Sequence, residues 1–142
     1  MANYYAVCRS NYFQVRDPRA FRARMSALGV DVVPTEDGHT IFAEGWPSYD
    51  PTAEVPDPSQ CGEEFDPSAG EIDFVQELAK HLQDGEVAIL MESGHEARRY
   101  VTGQAIAVNA KGQTESIDLA DIYEKAVALA PIGTMQVSRA EY

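Results

Sequence analysis

The chain is poor in the residue types that most readily give a function away. It has 2 cysteines and 3 histidines in 142 residues, and its 11 lysines and arginines are outnumbered by 23 acids. No Cys-x-x-Cys pair is present, and no two of His39, His81 and His95 stand at a helical or strand ligand spacing, so a zinc site has no support. No apolar run is long enough to span a bilayer. No basic segment followed by an apolar stretch opens the chain, so the cytoplasm is the expected location. In a reducing compartment Cys8 and Cys61 are not expected to pair. Cys8 reads as a small buried hydrophobe within a strand pattern, and Cys61 falls among acids that disfavour its thiolate. Phosphate-cradling glycine loops are absent. Ser93-Gly94-His95 lacks both the spacing of a nucleophile elbow and a separate base.

What is present is negative charge, unevenly placed. The formal net charge is −12. Between Asp50 and Glu96 there are thirteen acids and one cation, Lys80, which by itself accounts for the whole net charge. The N-terminal part is the opposite, with Arg9, Arg16, Arg19, Arg22 and Arg24 against Asp17 alone. An acidic surface repels nucleic acid and complements a basic protein surface. The acids between Glu63 and Glu71 lack the alternation of a calcium loop, and no metal or other cofactor is expected.

The length suits one domain with its own core. Residues 3–8 and 12–15 read as one interrupted strand or two short ones, broken at Ser10-Asn11. Asp17 and Pro18 open a helix that buries Phe21, Met25 and Leu28 and ends at Gly29, leaving Arg19, Arg22 and Arg24 in water. Residues 30–33 and 39–43 read as a hairpin turning through Glu36-Asp37-Gly38. A long acidic loop, at about 46–70, follows. A second helix is expected from about Ser68 to Asp84, then a strand over 86–91, a turn over 92–97 centred on Ser93-Gly94, a strand from Arg99 to Asn109 and a strand over 113–117. Asp118 caps a last helix, with Asp121 closing a capping box. Pro131 and Gly133 stop that helix and the tail beyond reads as loose. The expectation is one α+β domain over 1–142 with a mainly antiparallel sheet and three helices, in the order β-α-β-β-loop-α-β-β-β-α.

Residues 71–74, 85–92 and 99–103, together with Gly45-Trp46-Pro47-Ser48-Tyr49, resemble a pattern in small uncharacterised bacterial proteins, some carried on mobile elements. The resemblance implies a role in bacterial conflict systems, where small acidic proteins inhibit nucleases or DNA-binding machinery.

The leading expectation is a non-enzymatic acidic protein that engages a basic surface of a partner, imitating nucleic acid, as an inhibitor of a nuclease or other nucleic-acid-binding defence machinery of the anti-restriction or anti-CRISPR type. Asp57, Glu63, Glu64, Asp66, Glu71, Asp73 and Glu77 would supply the charge, and Trp46 and Tyr49 the apolar anchor. No direct contact with nucleic acid or membrane is expected. Two rivals remain: a small hydrolase or transferase with a pocket between sheet and helices, and an acidic domain whose charge has no specific target. The sequence leaves the oligomeric state open.

Overall fold

The computed structural model describes residues 4–45, 47–48, 50–52, 70–97, 100–129 and 138. They form a six-stranded antiparallel sheet and three α-helices, an α+β architecture with the expected element order. The strands are β1 (Tyr4–Ser10), β2 (Asp31–Thr35), β3 (Gly38–Ala43), β4 (Val87–Glu96), β5 (Tyr100–Asn109) and β6 (Thr114–Asp118), ordered β2-β3-β1-β4-β5-β6 across the sheet. The helices are α1 (Pro18–Ala27), α2 (Phe74–Ala79) and α3 (Ile122–Val127), the last entered through a 3-10 turn at Leu119–Asp121. No helix among the described residues is long and apolar enough to cross a membrane.

Helix α1 begins where Asp17, in an extended conformation, accepts hydrogen bonds from the backbone N–H groups of Arg19 and Ala20, with Pro18 in the first turn. It ends at Gly29, whose φ of +75° lets the chain turn back. Its buried residues Phe21 and Met25, with Leu28, meet Phe74, Val75 and Leu78 of α2 and the inner sheet residues Cys8, Ile41, Ala88, Leu90 and Val108 in a single core. The ring of Phe13 stands edge-on to Phe21 at 5.8 Å.

The break expected at Ser10-Asn11 has a clear cause. The Asn11 side chain takes over from the ladder, accepting from the Ile89 N–H and donating to the Val87 carbonyl. The chain is thereby free to leave β1, and Phe13 and Val15 form only isolated bridges, to His39 and Leu82.

Three expectations change. The second helix is far shorter than Ser68 to Asp84: Asp73 caps it through the Gln76 N–H, and α2 spans six residues. Ile72 gives its N–H to Ser48 instead of joining the helix, while Ser68 and Ala69 lie outside the described residues. The turn expected over 92–97 is strand, because β4 runs unbroken to Glu96 in register with both β1 and β5. Gly94 serves there as a gap for Tyr4: a Cβ at Gly94 would lie 2.4 Å from the Tyr4 hydroxyl, which is hydrogen-bonded to Thr102 at 2.6 Å. Arg24 does not stand free in water; it is partly buried and ion-paired.

The last helix carries the expected capping box between Asp118 and Asp121, yet none of its residues is buried. Its stop at Pro131 and Gly133 and the tail up to Val137, and from Arg139 on, lie outside the described residues.

Candidate functional site at the neck of the acidic loop

The acidic segment starts and finishes at the same place. The Asp50 N–H donates to the Gly70 carbonyl at 2.8 Å, and the Ile72 N–H donates to the Ser48 carbonyl at 3.0 Å. These two bonds close residues 51–69 into a loop whose ends are held side by side. Closing a chain of about twenty residues costs roughly 3 kcal/mol of entropy. Two backbone bonds, worth about 1 kcal/mol each, offset only part of that. A side-chain clamp reinforces them.

The clamp is built on Arg24, which α1 directs at the neck. Its Nη2 lies 2.7 Å from Asp50 Oδ2 and its Nε donates to Glu77 Oε1 at 2.8 Å. Lys80, one turn along α2, reaches Glu77 Oε2 at 3.2 Å. The other Asp50 oxygen accepts from the hydroxyl and the N–H of Thr52, at 2.6 and 2.8 Å. The Thr52 hydroxyl, then Arg24, then the Thr52 N–H pull the Asp50 carboxyl down to about 2. Burial pushes Glu77 upward, but its hydrogen bonds to Arg24 and Lys80 outweigh this and leave it below its ordinary value. Arg24 is correspondingly raised, by Asp50 first and then by Glu77.

The clamp is therefore close to neutral, with two carboxylates facing two cations. Glu77 is spent inside the molecule. Of the other residues expected to meet a partner, Glu71 is exposed within the neck itself, and Asp73 is exposed while its carboxylate caps α2. Trp46, Tyr49, Asp57, Glu63, Glu64 and Asp66 lie outside the described residues. The sequence places the last four between the clamped ends, and Trp46 and Tyr49 on either side of Pro47-Ser48, whose Ser48 carbonyl accepts one of the two neck bonds.

Arg24 and Asp50 are the residues that sequence reasoning missed. Arg24 looked like one of a row of surface arginines. The available signal was position: Arg24 lies one residue from the buried Met25 and three from Phe21, at the border of the apolar stripe. Its neighbours behave differently. Arg16 donates through Nε to the Leu82 carbonyl at 2.7 Å, whereas Arg19 and Arg22 are exposed.

Among the described residues no group of three or more His, Cys, Asp or Glu side chains converges on a metal-sized site. Between sheet and helices, where the rival hydrolase or transferase reading would put its pocket, Phe21, Met25, Phe74, Leu78 and Leu90 are all fully buried against one another. No family model, curated protein or solved structure matches the chain.

Proposed function

We propose that the chain is a non-enzymatic binding protein that holds out the acidic 51–69 loop to a basic surface of another protein, the kind of surface that otherwise holds nucleic acid, and so acts as an inhibitor of such a protein. One observation carries this reading. The loop contains five carboxylates and no lysine or arginine, and its two ends are clamped together by Asp50, Gly70, Ser48, Ile72 and Arg24. A clamped base limits the volume the charges can explore, which lowers the entropy lost on binding. Glu71 and Asp73 extend the same sign of charge along the neck towards α2. The Arg24 pairs neutralise Asp50 and Glu77 only, so they leave the charge of the loop uncancelled by the clamp.

Long-range attraction to a basic partner speeds association and is screened by salt. In a pull-down from a bacterial lysate, a partner should be captured at low salt and released at high salt. The variant Asp57→Lys, Glu63→Lys, Glu64→Lys, Asp66→Lys should abolish capture while retaining the thermal melting of the unaltered chain. Capture that survives this reversal, or that ignores salt, overturns the reading.

A further inference from the structure

The sheet face opposite α1 and α2 is apolar and largely uncovered by the described elements, with the Leu119–Asp121 turn packed on it beside β5. In the outward phase of the strands, Val7 and Met91 are each 57% exposed and Ile117 is 69% exposed, and Ala105 sits between the last two by register. Exposure of this kind on one face marks a binding surface.

The face is also shaped. Gly103 leaves a gap in β5, and the side chain of Leu119, at the start of the 3-10 turn, folds back onto it: a Cβ at Gly103 would lie 2.8 Å from Leu119 Cδ1. Leu119 thus forms a wall, and the hollow beside it measures about 550 Å³, within the range of small-molecule sites.

One ionised side chain in the outward phase lines this hollow. Arg9 lies over the Phe42 ring, with its guanidinium carbon 5.0 Å from the ring centre. No carboxylate of the described residues pairs with it. Glu92 and Asp118 also border the hollow, but they stand in the opposite phase of their strands, and their carboxylates are engaged by the Gln104 amide and the Ala120 N–H. Glu92 stands opposite Cys8 by register, in the phase that faces the helices.

An arginine that no described carboxylate meets, in an apolar trough of a protein with net charge −12, calls for an anion. A second copy of the chain is a poor source of one. The outward-phase acids of the described strands are Asp31, beside Phe42, and Glu115, beside Ala107; neither lines this hollow, and two copies would repel each other overall. We infer that the hollow between Phe42 and Leu119 binds a small amphipathic anion, its apolar body against Met91, Ala105 and Ile117 and its carboxylate or equivalent acid group on Arg9. None of the residues that form this site belongs to the acidic loop.

The test uses the full chain, with anilinonaphthalene sulfonate as fluorescent probe and dodecanoate, below its micellar concentration, as competitor. Dodecanoate should bind at one saturable site and displace the probe, and dodecyltrimethylammonium, with the same body and opposite charge, should not. Arg9→Gln should weaken dodecanoate roughly tenfold or more, the scale of one charge-assisted hydrogen bond, and Arg9→Lys should restore part of the loss. Should Arg9→Gln fail to fold, the comparison of the two detergents on the unaltered chain decides. Equal binding of the cation, no saturable binding, or unchanged affinity in a folded Arg9→Gln overturns the proposal. So does a sedimenting dimer that excludes dodecanoate, which assigns the face to a second copy. The four-lysine loop variant should bind dodecanoate as the unaltered chain does, so failure here and failure of the loop reading are told apart.

Discussion

Arg24 and Asp50 meet at 2.7 Å across 26 positions of sequence, and their contact ties the first helix to the point where the acidic loop departs. The same guanidinium holds Glu77 of α2 through Nε. A planar fork with donors on two sides can serve both carboxylates at once, which a single ammonium cannot do equally well. Arg24→Met should therefore loosen the neck as well as lower stability. We expect the melting temperature to fall by several degrees and proteolysis after Glu63 or Glu64 to accelerate, with Arg24→Lys intermediate in both. Unchanged cleavage kinetics in Arg24→Met would show that the two backbone bonds hold the loop by themselves.

Two histidines pack against one phenylalanine. The Phe21 ring lies 5.8 Å from His39 and 5.5 Å from His81, and His39 Nδ1 is buried with no hydrogen-bond partner among the described residues. Both are held below the ordinary 6.5: His39 by burial and then Arg22, His81 by burial, with Arg24, Lys80 and Arg16 adding to it and Glu77 opposing. Because both folded values are depressed, the unfolded chain takes up protons first. The contribution to stability is complete above 6.5 and is lost as the pH falls below it. The melting temperature should hold steady from about pH 8 to about pH 7 and decline towards about pH 5. Combining His39→Phe with His81→Gln should flatten that decline. Asp50 acts in a lower window, losing its contribution between 3.8 and about 2.

Two glycines with crowded neighbours should respond differently to alanine. At Gly38, φ is +127° and a Cβ would stand 2.6 Å from the Phe13 carbonyl oxygen. That carbonyl cannot retreat, because Phe13 and His39 exchange both backbone hydrogen bonds, at 2.8 and 3.0 Å. Gly38→Ala should cost roughly 3 kcal/mol or more. At Gly103 the obstacle is the end of the Leu119 side chain, which can swing away, so Gly103→Ala should cost under about 1 kcal/mol. Denaturant titration of both variants measures the contrast.

Cys8 should be chemically silent. Burial first, and Glu92 second, push its thiol up to about 11. At neutral pH only about one in ten thousand such groups is ionised. In a Cys61→Ser background, iodoacetamide should leave the native chain unlabelled for hours and label it promptly in guanidinium. Rapid native labelling would mean that β1 opens readily at its centre.

Much of the fold could be read from local chemistry. Asp17-Pro18 and Gly29 bracket α1 because capping depends on near neighbours alone, and the same holds for the Asp118–Asp121 capping box. The failures were all non-local. Gly94 looks like a turn residue until Tyr4, ninety positions away, is seen to need its missing side chain. The stretch before Phe74 looks helical by periodicity, but Ile72 is bonded to Ser48. Charge counting found the acidic segment and could not show that Glu77 and Asp50 are answered from within by Arg24. The hollow beside Leu119 was hidden for a similar reason: alternation in β4 and β5 says that one side of the sheet is apolar, but not which side the helices leave open.

The sheet ends on β2 at one side and β6 at the other, and an unpaired outer strand invites another chain to dock by backbone pairing. Pro34 has no N–H to offer and stands within β2 opposite His39. On β6, Glu115 and Asp118 bring like charges to any identical strand laid alongside. Stacking of chains into fibrils by edge-to-edge pairing is thereby opposed at both margins of the described sheet.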